Sequence, residues 1–150
     1  MRTNSKRKMS KGGSARLGSP HILLAEDDKE MRVLLAVALR SAGYGVTECG
    51  DGLELLEHLA SFVLPEEEHQ AVDLVISDIR MPGVTGLEIL EGLNRRGDFP
   101  PFILITAFGD VETHARANYC GAVAMFDKPF DVDDLVAKVR KVVPPSSELS

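Results

Sequence analysis

Aromatic residues are scarce in this chain, which has no tryptophan, two tyrosines and six phenylalanines among its 150 residues. The 44% apolar content is therefore supplied mainly by valine, isoleucine, leucine and alanine, which suits the core of an α/β protein. Nothing in the sequence indicates a fibre or an internal repeat. At this length we expect one compact domain, because two domains would each bury little apolar surface.

Cysteines and long apolar runs are also scarce. Cys49 and Cys120 stand alone, at no metal-ligand spacing, which favours buried, reduced thiols in a cytoplasmic protein. The basic N-terminus has no apolar segment behind it, and no run elsewhere reaches the roughly 20 apolar residues that span a membrane. We therefore expect a cytoplasmic protein without a membrane partner.

Acidic residues are absent from the first 20 positions, although the whole chain has a net charge of -6. Six basic residues lie there, namely Arg2, Lys6, Arg7, Lys8, Lys11 and Arg16. This Ser- and Gly-rich segment lacks hydrophobic periodicity, which predicts a disordered basic arm over 1–20. The rest of the chain has 11 basic and 23 acidic residues, a net charge of -12. We therefore do not expect the domain itself, over 21–143, to bind nucleic acid.

Short apolar runs alternate with amphipathic stretches from residue 21 onward. The runs predict strands at His21–Ala25, Tyr44–Glu48, Val72–Ser77, Phe102–Ile105 and Ala122–Phe126. Such alternation is typical of βαβ units with right-handed crossovers, so we predict a parallel sheet between two layers of helices. The tail at 144–150 is expected to be too short for an output domain, so any output passes through another protein or this stretch is part of something longer.

The amphipathic stretches predict five helices. Residues expected to mark the first are Met31, Leu34, Leu35, Ala38 and Leu39, forming one stripe that faces the sheet and ends at Gly43. The second is marked by Leu53, Leu56, Leu59 and Ala60, the third by Leu87, Leu90 and Leu93, and the last by Val132, Leu135, Val136, Val139 and Val143. The fourth, within 110–119, has a weak apolar face, which makes it a candidate for movement. Residues 61–71 are expected to form a surface loop.

Polar residues follow four of the predicted strands at the point where each strand ends. They are Glu26 with Asp27, then Asp78, then Thr106, then Lys128. Because parallel sheets bind ligands along the edge formed by the carboxyl ends of their strands, we expect these side chains to meet there. Acids, a hydroxyl and an amine suit a divalent cation and a transferred phosphoryl group.

Four segments in this order resemble the receiver domain of response regulators. They are ILLAEDD (22–28), SDIRMPGVTGLEIL (77–90), TAFGD (106–110) and FDKPFD (126–131), within a similarity that runs from about residue 21 to 143. The resemblance implies a flavodoxin-like (βα)5 fold with a five-stranded parallel sheet of order 2-1-3-4-5. It also implies that Asp78 accepts a phosphoryl group from the phosphohistidine of a histidine kinase or a phosphotransfer protein.

The resemblance further implies a role for each residue at the sheet edge. Mg2+ would be bound by Glu26, Asp27, Asp78 and the backbone carbonyl of Arg80, since this ion prefers hard oxygen ligands. Lys128 would contact the phosphoryl oxygens, and its bond to Pro129 would be cis. Thr106 would hydrogen-bond the phosphoryl group only after modification, which would move its loop inward and change the surface of the fourth helix, fifth strand and fifth helix.

Some of these residues also have ordinary structural explanations. We expect Asp28 to cap the first helix, where unpaired amides favour acids, and Thr85 to cap the third. The family commonly places tyrosine or phenylalanine three residues before the lysine, whereas this chain has Met125. A flexible methionine can still move inward, but an aromatic switch is placed in doubt. Phe126 should point to the opposite face of the sheet and pack in the core.

Three functions are compared on these grounds. The first is a phosphoacceptor that catalyses its own phosphorylation and dephosphorylation, is no turnover enzyme, and signals to an unknown protein target. A homodimer formed on phosphorylation is a further option for it. The second is a protein-binding module that keeps the fold without using phosphorylation. The third, an aspartate-nucleophile phosphatase, usually needs a second acid two residues after the nucleophile, where this chain has Arg80.

Overall fold

A computed structural model describes residues 18–60, 71–95, 99–107 and 109–146. Within them five strands alternate with five helices. The strands are β1 (His21–Ala25), β2 (Gly45–Cys49), β3 (Leu74–Asp78), β4 (Phe102–Thr106) and β5 (Ala124–Asp127). The helices are α1 (Lys29–Ser41), α2 (Gly52–Leu59), α3 (Gly86–Asn94), α4 (Val111–Tyr119) and α5 (Val132–Val142). The predicted alternation is confirmed.

All strand pairs in this sheet are parallel, and the strand order is β2-β1-β3-β4-β5. This confirms the predicted flavodoxin-like (βα)5 fold. Every residue of β3 and of β4 is buried, as expected for inner strands of a sheet that helices cover on both faces.

Alternate residues of each strand pack on opposite faces of the sheet. Leu23 and Val75 belong to one apolar cluster, which α2, α3 and α4 cover, while Ile22 and Leu74 belong to the other, which α1 and α5 cover. The period-2 alternation of side chains along a strand produces this division. The two apolar clusters therefore lie on the faces of the sheet, and the polar residues lie at the edge formed by the carboxyl ends of the strands.

The predicted inward stripe of α1 is partly wrong, and two of the residues that mark α2 lie on its outer face. In α1 the buried residues are Leu35, Ala36 and Leu39, whereas Leu34 is 53% exposed. In α2 the buried residues are Gly52, Leu55 and Leu59, and the marker residues Leu53 and Leu56 are exposed. Both helices carry more apolar residues than one face can bury, so spacing alone did not fix which face turns inward.

Strand boundaries differ from prediction by one or two residues. The second strand begins at Gly45 instead of Tyr44, the third at Leu74 and the fifth at Ala124. Tyr44 is buried instead as a connecting residue, and its hydroxyl donates to the carbonyl oxygen of Val143 at 2.5 Å. Gly43 has a φ of 105°, which only glycine adopts readily, and it ends the α1 turn as predicted.

The described ends of the chain meet on the side of the sheet opposite the strands' carboxyl ends. Ser146 Oγ donates to the carbonyl oxygen of Gly18 at 3.2 Å, and Pro20 and Pro145 are buried. Residues 1–17 of the disordered arm predicted over 1–20, and residues 61–70 of the loop predicted over 61–71, lie outside the described residues. Among the residues that are described, no helix has the length and apolar character needed to cross a membrane.

The fourth helix is weakly anchored, as predicted. Its only buried residue is Ala117, and Val111 and Tyr119 are 87% and 88% exposed. Asp110 caps its first turn by accepting a hydrogen bond from the amide of Thr113.

Candidate functional site

The strand register brings the predicted site residues to one edge of the sheet. Ala25 pairs with Ser77, so Glu26 lies level with Asp78 on the neighbouring strand. Asp78 in turn pairs with Ile105, and Thr106 pairs with Asp127, the residue before Lys128. Residues far apart in sequence therefore meet because β1, β3, β4 and β5 are parallel and end together.

Three acids form the centre of this edge. One carboxylate oxygen from each of Glu26, Asp27 and Asp78 lies within 4.8 Å of the others. Glu26 is 1% exposed and Asp78 is 4% exposed, whereas Asp27 is exposed to solvent. Two buried carboxylates and one exposed carboxylate thus line a site that solvent reaches from one side.

Lys128 supplies positive charge to the acids. Its Nζ donates to Asp78 Oδ2 at 2.7 Å and lies 3.0 Å from Glu26 Oε1. Burial by itself would lower the pKa of Lys128, but the hydrogen bond to Asp78 and the contact with Glu26 outweigh it and raise that pKa. Lys128 is therefore a fixed cation at this site, and its peptide bond to Pro129 is cis.

The contact with Lys128 does not fully offset the burial of the Glu26 carboxylate. Its Oε2 accepts from the amide of Asp28 at 3.1 Å, but its buried Oε1 has no hydrogen bond of good geometry among the described residues. Burial, the largest influence, raises the pKa of Glu26 to about 7, despite the opposing effects of Lys128 and the Asp28 amide. A buried carboxylate with an oxygen within 4.8 Å of oxygens from two further carboxylates fits a hard cation such as Mg2+.

The Asp78 carboxylate is held from both sides. Oδ2 accepts from Lys128, and Oδ1 accepts from the amide of Arg80 at 3.0 Å. The backbone is fixed too, because Ser77 Oγ donates to the Asp78 carbonyl oxygen at 2.9 Å. The predicted metal contact from the carbonyl of Arg80 stays a prediction.

Thr106 ends β4 beside this site and is 1% exposed. Its carbonyl oxygen accepts from the amide of Lys128 at 2.7 Å, which ties the ends of β4 and β5 together. The fold therefore places the threonine and the lysine side by side. The contact of its hydroxyl with a phosphoryl group stays a prediction.

Caps at the helix starts hold the loops around the site. Asp28 Oδ1 accepts from the amide of Met31 at 3.2 Å, which confirms that Asp28 caps α1. Thr85 caps α3 through a capping box with Glu88, in which each side chain accepts from the other residue's amide.

Met125 and Phe126 point to opposite faces of β5, as predicted. Met125 packs against the cluster under α3 and α4, and Phe126 packs against the other cluster and contacts the ring of Phe130, with ring centroids 5.7 Å apart. Met125 also lines a groove of about 490 Å3 between α4 and β5, together with His114 and Asn118.

Sequence analysis missed two contacts near the site. Arg32 Nη1 donates to the carbonyl oxygen of Glu26 at 2.8 Å, and His114 Nε2 lies 3.0 Å from Asp127 Oδ1. Neither contact follows from residue spacing, because each joins a side chain on a helix to a residue outside that helix.

Comparison with known proteins identifies the family. Residues 22–140 match the family model of the response regulator receiver domain. The chain is 36% identical over 122 residues to the DNA-binding transcriptional regulator NtrC of Escherichia coli K12, covering 81% of this chain but 24% of that protein. It is 29% identical to the sporulation initiation phosphotransferase F of Bacillus subtilis, covering 82% of this chain and 93% of that protein.

Solved structures agree with this result. The response regulator TrrA of Thermotoga maritima, crystallised in complex with Mg2+-BeF, is 30% identical, with a TM-score of 0.69 over 83% of this chain and 99% of that one. The chemotaxis protein CheY4 of Vibrio cholerae is 25% identical, with a TM-score of 0.70 over 83% of this chain and 98% of that one. This chain, which spans about a quarter of the length of NtrC, therefore belongs to the response-regulator receiver domain family.

Proposed function

We propose that this receiver domain accepts a phosphoryl group on Asp78, with Mg2+ bound beside it, and passes the signal to another protein. The observation that carries the proposal is the ion pair between buried Asp78 and Lys128, at 2.7 Å, inside a cluster of three carboxylates. A buried nucleophile of this kind needs nearby positive charge before an anionic phosphate can approach.

Each residue has a distinct part in the proposed transfer. A carboxylate oxygen of Asp78 attacks phosphorus while the bond from phosphorus to the donor's histidine nitrogen breaks. Lys128, fixed at the end of β5, stabilises the negative charge on the transferred oxygens. The Arg80 amide and Ser77 hydroxyl keep the nucleophile oriented, which supplies much of the rate for a reaction that depends on positioning.

Mg2+ would be bound by Glu26, Asp27 and Asp78, and by the backbone carbonyl of Arg80. The ion supplies charge neutralisation at the phosphoryl oxygens when bound. The three carboxylates, with one oxygen of each within 4.8 Å of the others and two of the three side chains buried, support a cation in this position.

The output would pass through α4, β5 and α5. Thr106 would form its new hydrogen bond to the phosphoryl group and draw the loop after β4 inward, with Met125 taking the place of the usual aromatic switch residue. The weak anchoring of α4 supports this choice, because a helix with one buried residue moves at low energetic cost.

The donor would be a histidine kinase or a phosphotransfer protein, and the recipient an unknown protein target. Relatives such as NtrC are described as DNA-binding regulators. This chain spans only a quarter of that protein, so we propose no DNA contact for the receiver itself. Its acidic body, with a net charge of -12 outside 1–20, supports the same view.

A second candidate is a protein-binding module that does not use phosphorylation. The observation that favours it is Met125, which packs in the core beside α4 where the family commonly has an aromatic switch. In this case the groove between α4 and β5 would bind the same partner protein whether or not a phosphoryl donor is present.

The two candidates differ in one measurement. The wild-type chain is incubated with acetyl phosphate and Mg2+, and phosphorylation is followed by intact mass and by hydroxylamine sensitivity. We expect an acyl phosphate on the wild type, none on Asp78→Asn, and normal labelling on Asp133→Asn, whose acid is exposed on α5. An unmodified wild type would favour the binding module.

A further inference from the structure

Arg32 connects the start of α1 to the peptide that carries the two consecutive acids. Its Nη1 donates to the carbonyl oxygen of Glu26 at 2.8 Å, and its Nε lies 3.3 Å from Glu48 Oε1 on β2. The side chain is 18% exposed, so both contacts are partly protected from water. The guanidinium thus links the ends of β1 and β2 to the first turn of α1.

The Glu26 carbonyl lies just past the end of the regular strand. The Glu26 amide still donates to Cys49 on β2, at 3.0 Å, which is the last main-chain contact of this ladder. Beyond it, the chain turns at Asp28 into α1. The orientation of the next peptide is therefore set by the hydrogen bond from Arg32.

That peptide joins Glu26 to Asp27, which are both predicted metal ligands. A peptide unit is planar, so holding its oxygen also fixes the directions of the Cα atoms at its two ends. One carboxylate must point into the buried site and the other toward the solvent-exposed side of the cluster. A displacement of this peptide would therefore disturb the placement of both carboxylates.

We propose that Arg32 is a positioning residue for the cation site, and that it acts by holding the Glu26–Asp27 peptide. The inference rests on the proposed function, because it assumes that this carboxylate cluster binds Mg2+. In this arrangement Arg32 would act through the peptide and would not itself be a ligand of the ion. Outer-shell partners that orient metal ligands have large effects on affinity, typically tenfold or more.

A positioning role for Arg32 can be distinguished from a general effect of its positive charge on Mg2+ binding. Removing a positive charge near a cation site strengthens cation binding by Coulomb's law. Loss of the positioning contact weakens it. The two explanations therefore predict opposite changes in Mg2+ affinity for the same substitution.

Arg40 offers a matched control on the same helix. Its Nη1 lies 3.4 Å from the second oxygen of Glu48, and its Nη2 donates to the carbonyl oxygen of Val46 at 3.0 Å. Like Arg32, Arg40 pairs with Glu48, and it also binds the backbone of β2, but its contacts do not include Glu26. A substitution there removes the same charge and the same ion-pair partner without touching the ligand peptide.

The test is calorimetric titration of the full chain with Mg2+ alone, for wild type, Arg32→Met, Arg32→Lys and Arg40→Met. We expect Arg32→Met to bind Mg2+ about tenfold more weakly than wild type. Arg32→Lys should be intermediate, since it keeps the charge but not the planar fork. Arg40→Met should match wild type or bind slightly more tightly.

Urea unfolding without Mg2+ checks that each variant is folded under the titration conditions. If Arg32→Met does not fold, the loss of affinity in Arg32→Lys carries the test, because its charge is unchanged. Wild-type or tighter Mg2+ binding by the folded Arg32 variants would overturn the inference and leave the proposed function intact. A wild-type chain that binds no Mg2+ would overturn both.

Discussion

Gly86, the first residue of α3, lies against the backbone of the proposed phosphoacceptor. A Cβ atom added there would be 2.6 Å from the carbonyl oxygen of Asp78 and 2.5 Å from Ser77 Oγ. Ordinary contact begins at 3.4 Å, so either the α3 start or the Asp78 peptide would have to move by about 0.8 Å. Gly92, on the same helix, is exposed, and a Cβ there would meet nothing within 4 Å.

We expect substitution by alanine to change the free energy of unfolding in opposite directions at these two glycines. Gly86→Ala should lower the free energy of unfolding by about 1 to 3 kcal/mol, the usual cost of overpacking. Gly92→Ala should raise it by about 0.5 to 1 kcal/mol, since alanine favours the helix over glycine. Urea unfolding followed by circular dichroism would measure both values on the full chain.

The effect on phosphorylation should differ as well. A displacement of the Asp78 peptide by close to 1 Å can slow a reaction that depends on alignment by up to about a hundredfold. We therefore expect slow labelling of Gly86→Ala by acetyl phosphate and normal labelling of Gly92→Ala. A Gly86→Ala variant as stable and as reactive as wild type would show that this contact does not constrain the site.

Three further predictions concern the caps, the thiols and the lysine. Thr85→Ala should lower stability by about 1 kcal/mol in urea unfolding, while Thr85→Ser, which keeps the bond to the Glu88 amide, should lose much less. Burial raises the pKa of Cys49 to about 12 and also raises that of Cys120, so both thiols should react with iodoacetamide at pH 8 only after unfolding, as followed by mass spectrometry. Without Mg2+, Lys128→Met should lower the free energy of unfolding by about 2 kcal/mol in urea unfolding, less than the loss of a fully buried ion pair because the Lys128 side chain is 22% exposed. Added Mg2+ should recover part of this loss. An unchanged urea midpoint would contradict this account.

The sequence was sufficient to predict the edge at which the site residues meet. Asp78, Glu26 and Lys128 each follow an apolar run, and parallel strands bring such positions together whatever the exact strand limits are. The predicted ends of β3, β4 and β5 were each one residue short, but this did not disturb the result, because all three errors leave the same polar residues at the same edge of the sheet. The cap at Asp28 was predictable for the same local reason, since it depends on residues a turn apart.

The features that could not be predicted depend on contacts between separate elements. The run from Met31 to Leu39 is apolar at nearly every position, so spacing alone allowed more than one inward face for α1 and did not indicate that Leu34 lies outside. The burial of Glu26 and the exposure of Asp27 depend on the direction of one peptide. The contact from Arg32 that holds this peptide has no periodic signature, because its length and angle are set by tertiary packing.

The hydrogen bond between Ser146 Oγ and the Gly18 carbonyl oxygen has a practical consequence for engineering. Positions 18 and 146 are near enough for a short peptide linker to join them and give a cyclic polypeptide. Joining them would reduce the conformational freedom of the denatured ensemble, which raises resistance to heat. The linker would cross the side of the sheet farthest from the carboxylates, so cyclisation should leave their chemistry undisturbed.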